Sequence, residues 1–156
     1  MTNALPSSLS FIDLFPGGNP FLDSLGVEFV RAADGSAELA LTLRADHMNS
    51  WHVTHGGVSM TLIDVAMALA GRTLSPTLQS CVTVDMSTRF LQPGGKPGDR
   101  LVAIAKSFHR SSTLCFCEAE VWNGKNLVVH GTGTFKYLNR LDRVGKLTAP
   151  GSRDGA

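Results

Sequence analysis

The longest apolar stretch of the chain runs from Val58 to Gly71, where ten of fourteen residues are apolar and Asp64 alone is charged. A window that is apolar on nearly every side predicts a buried helix, continuing to about Leu74 and stopped by Ser75-Pro76. It is too short, and too polar at its ends, to span a membrane. On either side the period falls to two. Val27–Val30 and the alternating Ala37, Leu39, Leu41 and Leu43, joined by Asp34-Gly35, predict a hairpin. Downstream, Val82, Val84, Met86 and Phe90 alternate with Thr83, Asp85, Ser87 and Arg89. A Pro/Gly-rich turn over 92–99 separates that strand from Leu101–Phe108. Two more runs, Leu114–Trp122 and Leu127–Leu138, are linked by Asn123-Gly124.

Near the start, Leu9, Ile12 and Phe15 recur at helical spacing after Ser7-Ser8, and Phe21–Leu25 adds another turn. From Asn139 onward the sequence is polar and aperiodic, which predicts a frayed tail. The organisation is therefore an extension over 1–19, one domain over 20–138 and a tail over 139–156. The domain is α+β: one antiparallel sheet of five or six strands, the last four a meander, wrapped around a buried helix. A single-layer sheet leaves its edges unpaired, which favours association with a second copy.

Charge narrows the function. Fourteen Lys and Arg against thirteen Asp and Glu leave a formal net charge of +1. That balance excludes a basic nucleic-acid footprint and a polybasic membrane anchor. Only 17% of residues are charged, against ~25% in ordinary soluble domains, so part of the surface is expected to be hidden against another copy. The three cysteines include no Cys-x-x-Cys pair. They read as small buried hydrophobes in a reduced protein, with Cys115 and Cys117 pointing the same way. The first residues lack the basic and apolar regions of a secretory signal, so the expected location is cytoplasmic.

Candidate chemistry gathers in residues 49–64. His55-Gly56-Gly57 opens the buried helix, where unpaired N–H groups seek anions and glycine admits close approach. Asp64 lies seven residues on, about two turns away and on the same face, with Thr61 between and Ala68 beyond. Asn49 precedes His55 by six. A carboxylate in an apolar helix calls for a partner. Arg72 or a loop N–H would serve a purely structural Asp64. His47, His52 and His55 crowd nine residues, but no His-Glu-x-x-His accompanies them and no metal is expected. Trp51 suits an aromatic pocket wall or an interface.

The pattern Asn49-x5-His55-Gly56-Gly57-x6-Asp64, followed by Thr83-Val-Asp-Met-Ser-Thr-Arg-Phe-Leu-Gln-Pro and Pro97-Gly-Asp, resembles the hotdog-fold thioesterases. It is closest to the phenylacetate-pathway (PaaI-like) branch, over about residues 20–138. The resemblance implies acyl-CoA hydrolysis without a cofactor, at the interface of a homodimer, often within a tetramer. It implies Asp64 as base or nucleophile and the Gly57 amide as the group polarising the thioester carbonyl. Asn49, from the neighbouring subunit, and His55 would position water and carbonyl, and Thr83 would lie near the attacking water. One departure is His52, where the family commonly has glycine.

For coenzyme A the resemblance implies Phe90, Leu91, Gln92, Pro93, Gly94 and Gly95, then His109, Arg110, Ser111, Ser112, Thr113 and Leu114, with Lys136 on the last strand. Gly94-Gly95 and Ser111-Ser112 offer N–H and hydroxyl groups, and Arg110 and Lys136 offer charge to phosphates. For any single residue among these, ordinary turn chemistry is the better explanation. Two rival activities share the fold: an enoyl-CoA hydratase or dehydratase, and a non-catalytic acyl-CoA sensor. The first would want an Asp-x4-His element and the second a DNA-binding module, and neither is found.

Overall fold

The computed structural model describes residues 14–138, except 16 and 78. The first expected helix lies mostly outside them, and the tail lies wholly outside. Helix α1 spans Pro20–Leu25; Asn19 caps it by accepting the Leu22 N–H at 3.2 Å, and Gly26 ends it at φ 74°. Strands β1 (Glu28–Ala33) and β2 (Ser36–Thr42) form the expected hairpin. Asp34 and Gly35 both take positive φ there, as a tight right-twisted hairpin turn requires. Helix α2 is Gly56–Thr73, and β3 (Ser80–Phe90), β4 (Arg100–Arg110), β5 (Leu114–Asn123) and β6 (Asn126–Leu138) complete an antiparallel sheet.

The strand order is β1-β2-β4-β5-β6-β3. The expected four-stranded meander is thus a meander of three, because β3 pairs with β6 at the far edge. The cause is α2, whose 18 residues measure about 27 Å. It crosses one face of the sheet, in contact with β2, β4, β5 and β6, and sets the chain down at the edge beyond β6. Residues 91–99 then return to begin β4 beside β2. Alternation shows that a strand exists and not which neighbour it takes.

The core lies between α2 and the sheet. Leu62, Ile63, Ala66, Met67 and Ala70 meet Leu39 and Leu41 of β2, Ala103 and Ala105 of β4, and Cys115, Cys117 and Val121 of β5, all buried. Packing is close: a Cβ on Gly71 would stand 2.3 Å from the Cys115 Sγ, and one on Gly131 2.7 Å from Ile63. Contact with Cys115 and burial hold the Cys81 and Cys117 thiols far above the usual thiol range, so both behave as small hydrophobes.

The helix is not enclosed on every side. Gly57 and Met60 are exposed, and Thr61 and Asp64 are half-buried, while Val65 and Ala68 pack against the core only in part. A sheet one layer thick covers only one side of a rod, and composition cannot say which side stays open.

The return segment is locked by Asp99, whose carboxylate accepts the Lys96 N–H at 3.1 Å and the Asn123 side-chain amide at 3.0 Å. Those bonds hold its carboxyl below the usual range, the Lys96 N–H foremost. A depressed folded-state value stabilises above the unfolded value and is lost as pH falls through the folded one. Asp99→Asn should therefore melt below the parent at pH 7, with the difference shrinking as the pH falls below the ordinary carboxylate range. Thermal midpoints across that range check it.

Candidate active site

The approach to α2 is a built loop. A 3₁₀ turn, Ala45–His47, buries His47, whose Nδ1 accepts the Arg44 N–H at 3.1 Å and whose carbonyl accepts the His55 N–H at 2.8 Å. Asn49 follows. Its side-chain oxygen accepts the N–H groups of Trp51 at 2.9 Å and Val53 at 3.3 Å. The oxygen is spent on the turn, and the amide nitrogen remains a donor with no partner among the described residues. Next in the turn, His52 holds φ 59°, the left-handed conformation glycine adopts without strain. Histidine holds that backbone shape at a conformational cost. Trp51, at the tip, is 84% exposed.

At the helix mouth His55 is the N-cap, and its Nδ1 accepts the Gly57 N–H at 2.9 Å. A Cβ on Gly57 would lie 3.0 Å from that nitrogen. The amide expected to meet a thioester carbonyl is therefore engaged by His55 in this structure, and a ligand must displace the ring to reach it. Gly56 has a different neighbour: the Phe90 ring lies 3.3 Å from where its Cβ would be. Phe90 consequently borders the mouth.

Asp64 has its partner on the edge strand. Thr83 Oγ1 donates to Asp64 Oδ1 at 2.5 Å. The expected alternation of β3 would have turned Thr83 away from the helix. A bulge at Val84 explains the difference, since Thr83 pairs with Phe135 and Asp85 already with Thr134. Val84 is pushed into solvent, 59% exposed, while Thr83 faces Asp64 and Met86 still packs against the core. Bulges near functional sites re-aim side chains in this way. The structural alternative for Asp64 is not found: Arg72 donates instead to the Leu14 carbonyl, and Asp64 forms no ion pair among the described residues.

Residues 52–130, a little over half of the chain, match the sequence model of a family described as the thioesterase superfamily. The chain belongs to that superfamily. A Schizosaccharomyces pombe relative is 32% identical over 104 residues, a match covering 65% of this chain and 63% of that one. Human acyl-coenzyme A thioesterase 13 is 29% identical over 144 residues, covering 88% of this chain and 99% of its own. Among solved structures, a mutant of the phenylacetic acid degradation protein PaaI from Thermus thermophilus superposes with a TM-score of 0.70 at 32% identity, over 77% of this chain and 100% of that one. The chain is a thioester hydrolase of the PaaI-like branch with the hotdog fold.

In this thioesterase the remaining expected site residues fall into two groups at opposite ends of α2. Phe90 to Gly95 lie by the mouth, next to Gly56 and Thr54. His109 to Leu114 lie by the other end, where Gly71 meets Cys115. Lys136 pairs there with Leu114 and Val82. Part of this set is occupied by its own turns. Gly95 accepts the Thr54 N–H at 3.0 Å, a Cβ on Gly94 would stand 2.8 Å from Thr54, and Ser111 Oγ accepts the Leu114 N–H at 3.0 Å. Arg110 and Lys136 are exposed. Among the described residues no group of three or more His, Cys, Asp or Glu could hold a metal ion, and no helix is long and apolar enough to cross a membrane. Sequence reading missed Ser59 and Val129, which join Asn49, Trp51 and Phe90 around a cleft beside the mouth. The signal for Ser59 was its place one turn after Gly56.

Proposed function

We propose that the enzyme hydrolyses small to medium acyl-CoA thioesters, with Asp64 activating the attacking water. The Thr83–Asp64 hydrogen bond carries this reading. It spends the Thr83 proton on one carboxylate oxygen and fixes the side chain, leaving the second oxygen to take a proton from water. Thr83 Oγ1 keeps lone pairs with which to orient that water. Asn49, with its unengaged amide, and the helix-mouth N–H supply donors for the developing oxyanion. Attack by Asp64 itself, through an anhydride, would use the same residues.

Seven residues of helix place Gly57 and Asp64 of one chain about 10 Å apart along the axis. A carbonyl in contact with the Gly57 amide is then out of contact with Asp64 of the same copy. A homodimer related by a two-fold axis beside the β3 edge resolves this. It runs the two helices antiparallel and sets the mouth of one copy beside Asp64 of the other. It also brings Phe90 of one copy toward Arg110 and Lys136 of its mate, so the two separated groups serve one substrate.

Thiol release from a panel of acyl-CoA esters tests the activity. Hydration without thiol release would mark a hydratase, and tight binding without turnover a sensor. On the substrates that are cleaved, Arg110→Ala and Lys136→Ala should each raise KM about three- to tenfold and spare kcat, because phosphate contacts are equal in ground and transition states. A change confined to kcat would mean that these cations act elsewhere.

A further inference from the structure

We infer that His47 is a positioning residue for the helix mouth: its buried ring and its carbonyl fix the small hairpin that carries Asn49 and the His55 cap of Gly57. This rests on the thioesterase reading above, which gives those donors their task. His47 is one of the three histidines crowded before α2, and neither the family pattern nor the proposed chemistry uses it.

The segment 47–55 folds back on itself with His47 at its base. The His47 carbonyl accepts the His55 N–H at 2.8 Å, Met48 bridges Thr54, and the Asn49 N–H donates to the Val53 carbonyl at 2.8 Å. Asn49 and His55 therefore belong to the two arms of one hairpin, and the pair at its base sets their register. His55 is bonded on both sides. Its N–H is held by His47, while its Nδ1 holds the Gly57 N–H at 2.9 Å. Below the base, His47 and Arg44 bond reciprocally: the His47 N–H donates to the Arg44 carbonyl at 3.1 Å, and the Arg44 N–H donates to His47 Nδ1 at 3.1 Å. The Arg44 guanidinium in turn donates to the Ser24 and Leu25 carbonyls at the end of α1. Thr54 ties the outgoing arm to the Gly95 carbonyl, so the arm bearing Asn49 is the one that His47 anchors.

The choice of residue supports a polar task. The ring is 1% exposed. Because Nδ1 accepts, the ring proton sits on Nε2. That buried N–H has no hydrogen-bond partner among the described residues, and Asp46 Oδ1, at 3.8 Å, is too far for a hydrogen bond. An unpaired buried donor is destabilising, and an apolar side chain of similar bulk would avoid it. What histidine adds over such a side chain is the acceptor facing the Arg44 N–H.

The test compares two variants of the full chain. In His47→Asn the Oδ1 stands as many bonds from the backbone as Nδ1 and can accept, whereas His47→Leu keeps the bulk and cannot. His47→Phe takes the place of His47→Leu if that variant does not fold. kcat and KM are measured per folded molecule on a cleaved acyl-CoA, and hydrogen exchange of the His55 amide is followed on the same preparations. Misplaced oxyanion donors weaken the transition state alone, so His47→Leu should lower kcat about 10- to 100-fold with KM within about twofold of the parent. His47→Asn should hold kcat near the parent. Exchange at the His55 amide should quicken about tenfold or more in His47→Leu and stay parental in His47→Asn, with the β4 and β5 amides unchanged in both. A role in packing predicts the reverse order, with His47→Leu the more active. That order, an equal fall in both variants, or a rise confined to KM would overturn the assignment. If the parent cleaves no thioester, the thioesterase reading fails, and the exchange rates still decide whether His47 holds the hairpin.

Discussion

Asp64→Asn should lower kcat by about 10²–10⁴-fold, the scale of a positioned general base, and leave binding of a non-hydrolysable thioester analogue intact. The variant is nearly isosteric, and its carbonyl oxygen can still accept the Thr83 hydroxyl now bound at 2.5 Å. What it loses is the negative charge and the second oxygen that would take the proton. Folding should be little affected, because Asp64 forms no ion pair among the described residues and no buried cation is abandoned. A purely structural Asp64 predicts the opposite result: a lower thermal midpoint with normal turnover per folded molecule. Measuring kcat and the midpoint on one preparation separates the two. Near-normal turnover would remove Asp64 from the mechanism.

Much of this arrangement is legible in the sequence, and the reasons differ by element. The helix over Val58–Gly71 and the inward set Ala37, Leu39 and Leu41 follow from periodicity, because burial dictates side-chain spacing in both. The order of strands did not follow, since β3 alternates equally well beside β4 or beside β6. The direction of Thr83 did not follow either. One bulged residue, Val84, reverses the phase of the strand, and nothing in Val82-Thr83-Val84-Asp85 announces a bulge. The Asn49–Asp64 constellation was visible as spacing. The resemblance placed Asn49 on the neighbouring subunit; spacing alone does not separate the two ends, because two helical turns share a face yet stand about 10 Å apart. The engagement of the Gly57 amide by His55 could have been anticipated from the capping position of a residue just before a helix.

In the proposed homodimer that separation makes assembly a condition of activity, and the β3 edge is the place to break it. The opposite edge is a poor partner. β1 has six residues and is kinked by its own bulge between Phe29 and Arg31. By contrast β3 has eleven residues, is paired along its inner side with β6, and turns Val82 and Val84 to solvent. An exposed apolar edge of this length is a template for pairing, and lysine on an edge strand opposes it. Val84→Lys would bring like charges together near the two-fold axis while leaving the core residues untouched. It should sediment as a monomer with a near-parental circular dichroism spectrum and lose about 100-fold or more in kcat/KM. Mixing separately inactive Asp64→Asn and Asn49→Ala copies should restore part of the activity, since a mixed dimer assembles one site with both native residues. A Val84→Lys monomer with full turnover would show that one chain holds a complete site, and failure of the mixed copies to complement would place Asn49 and Asp64 on the same substrate from the same subunit.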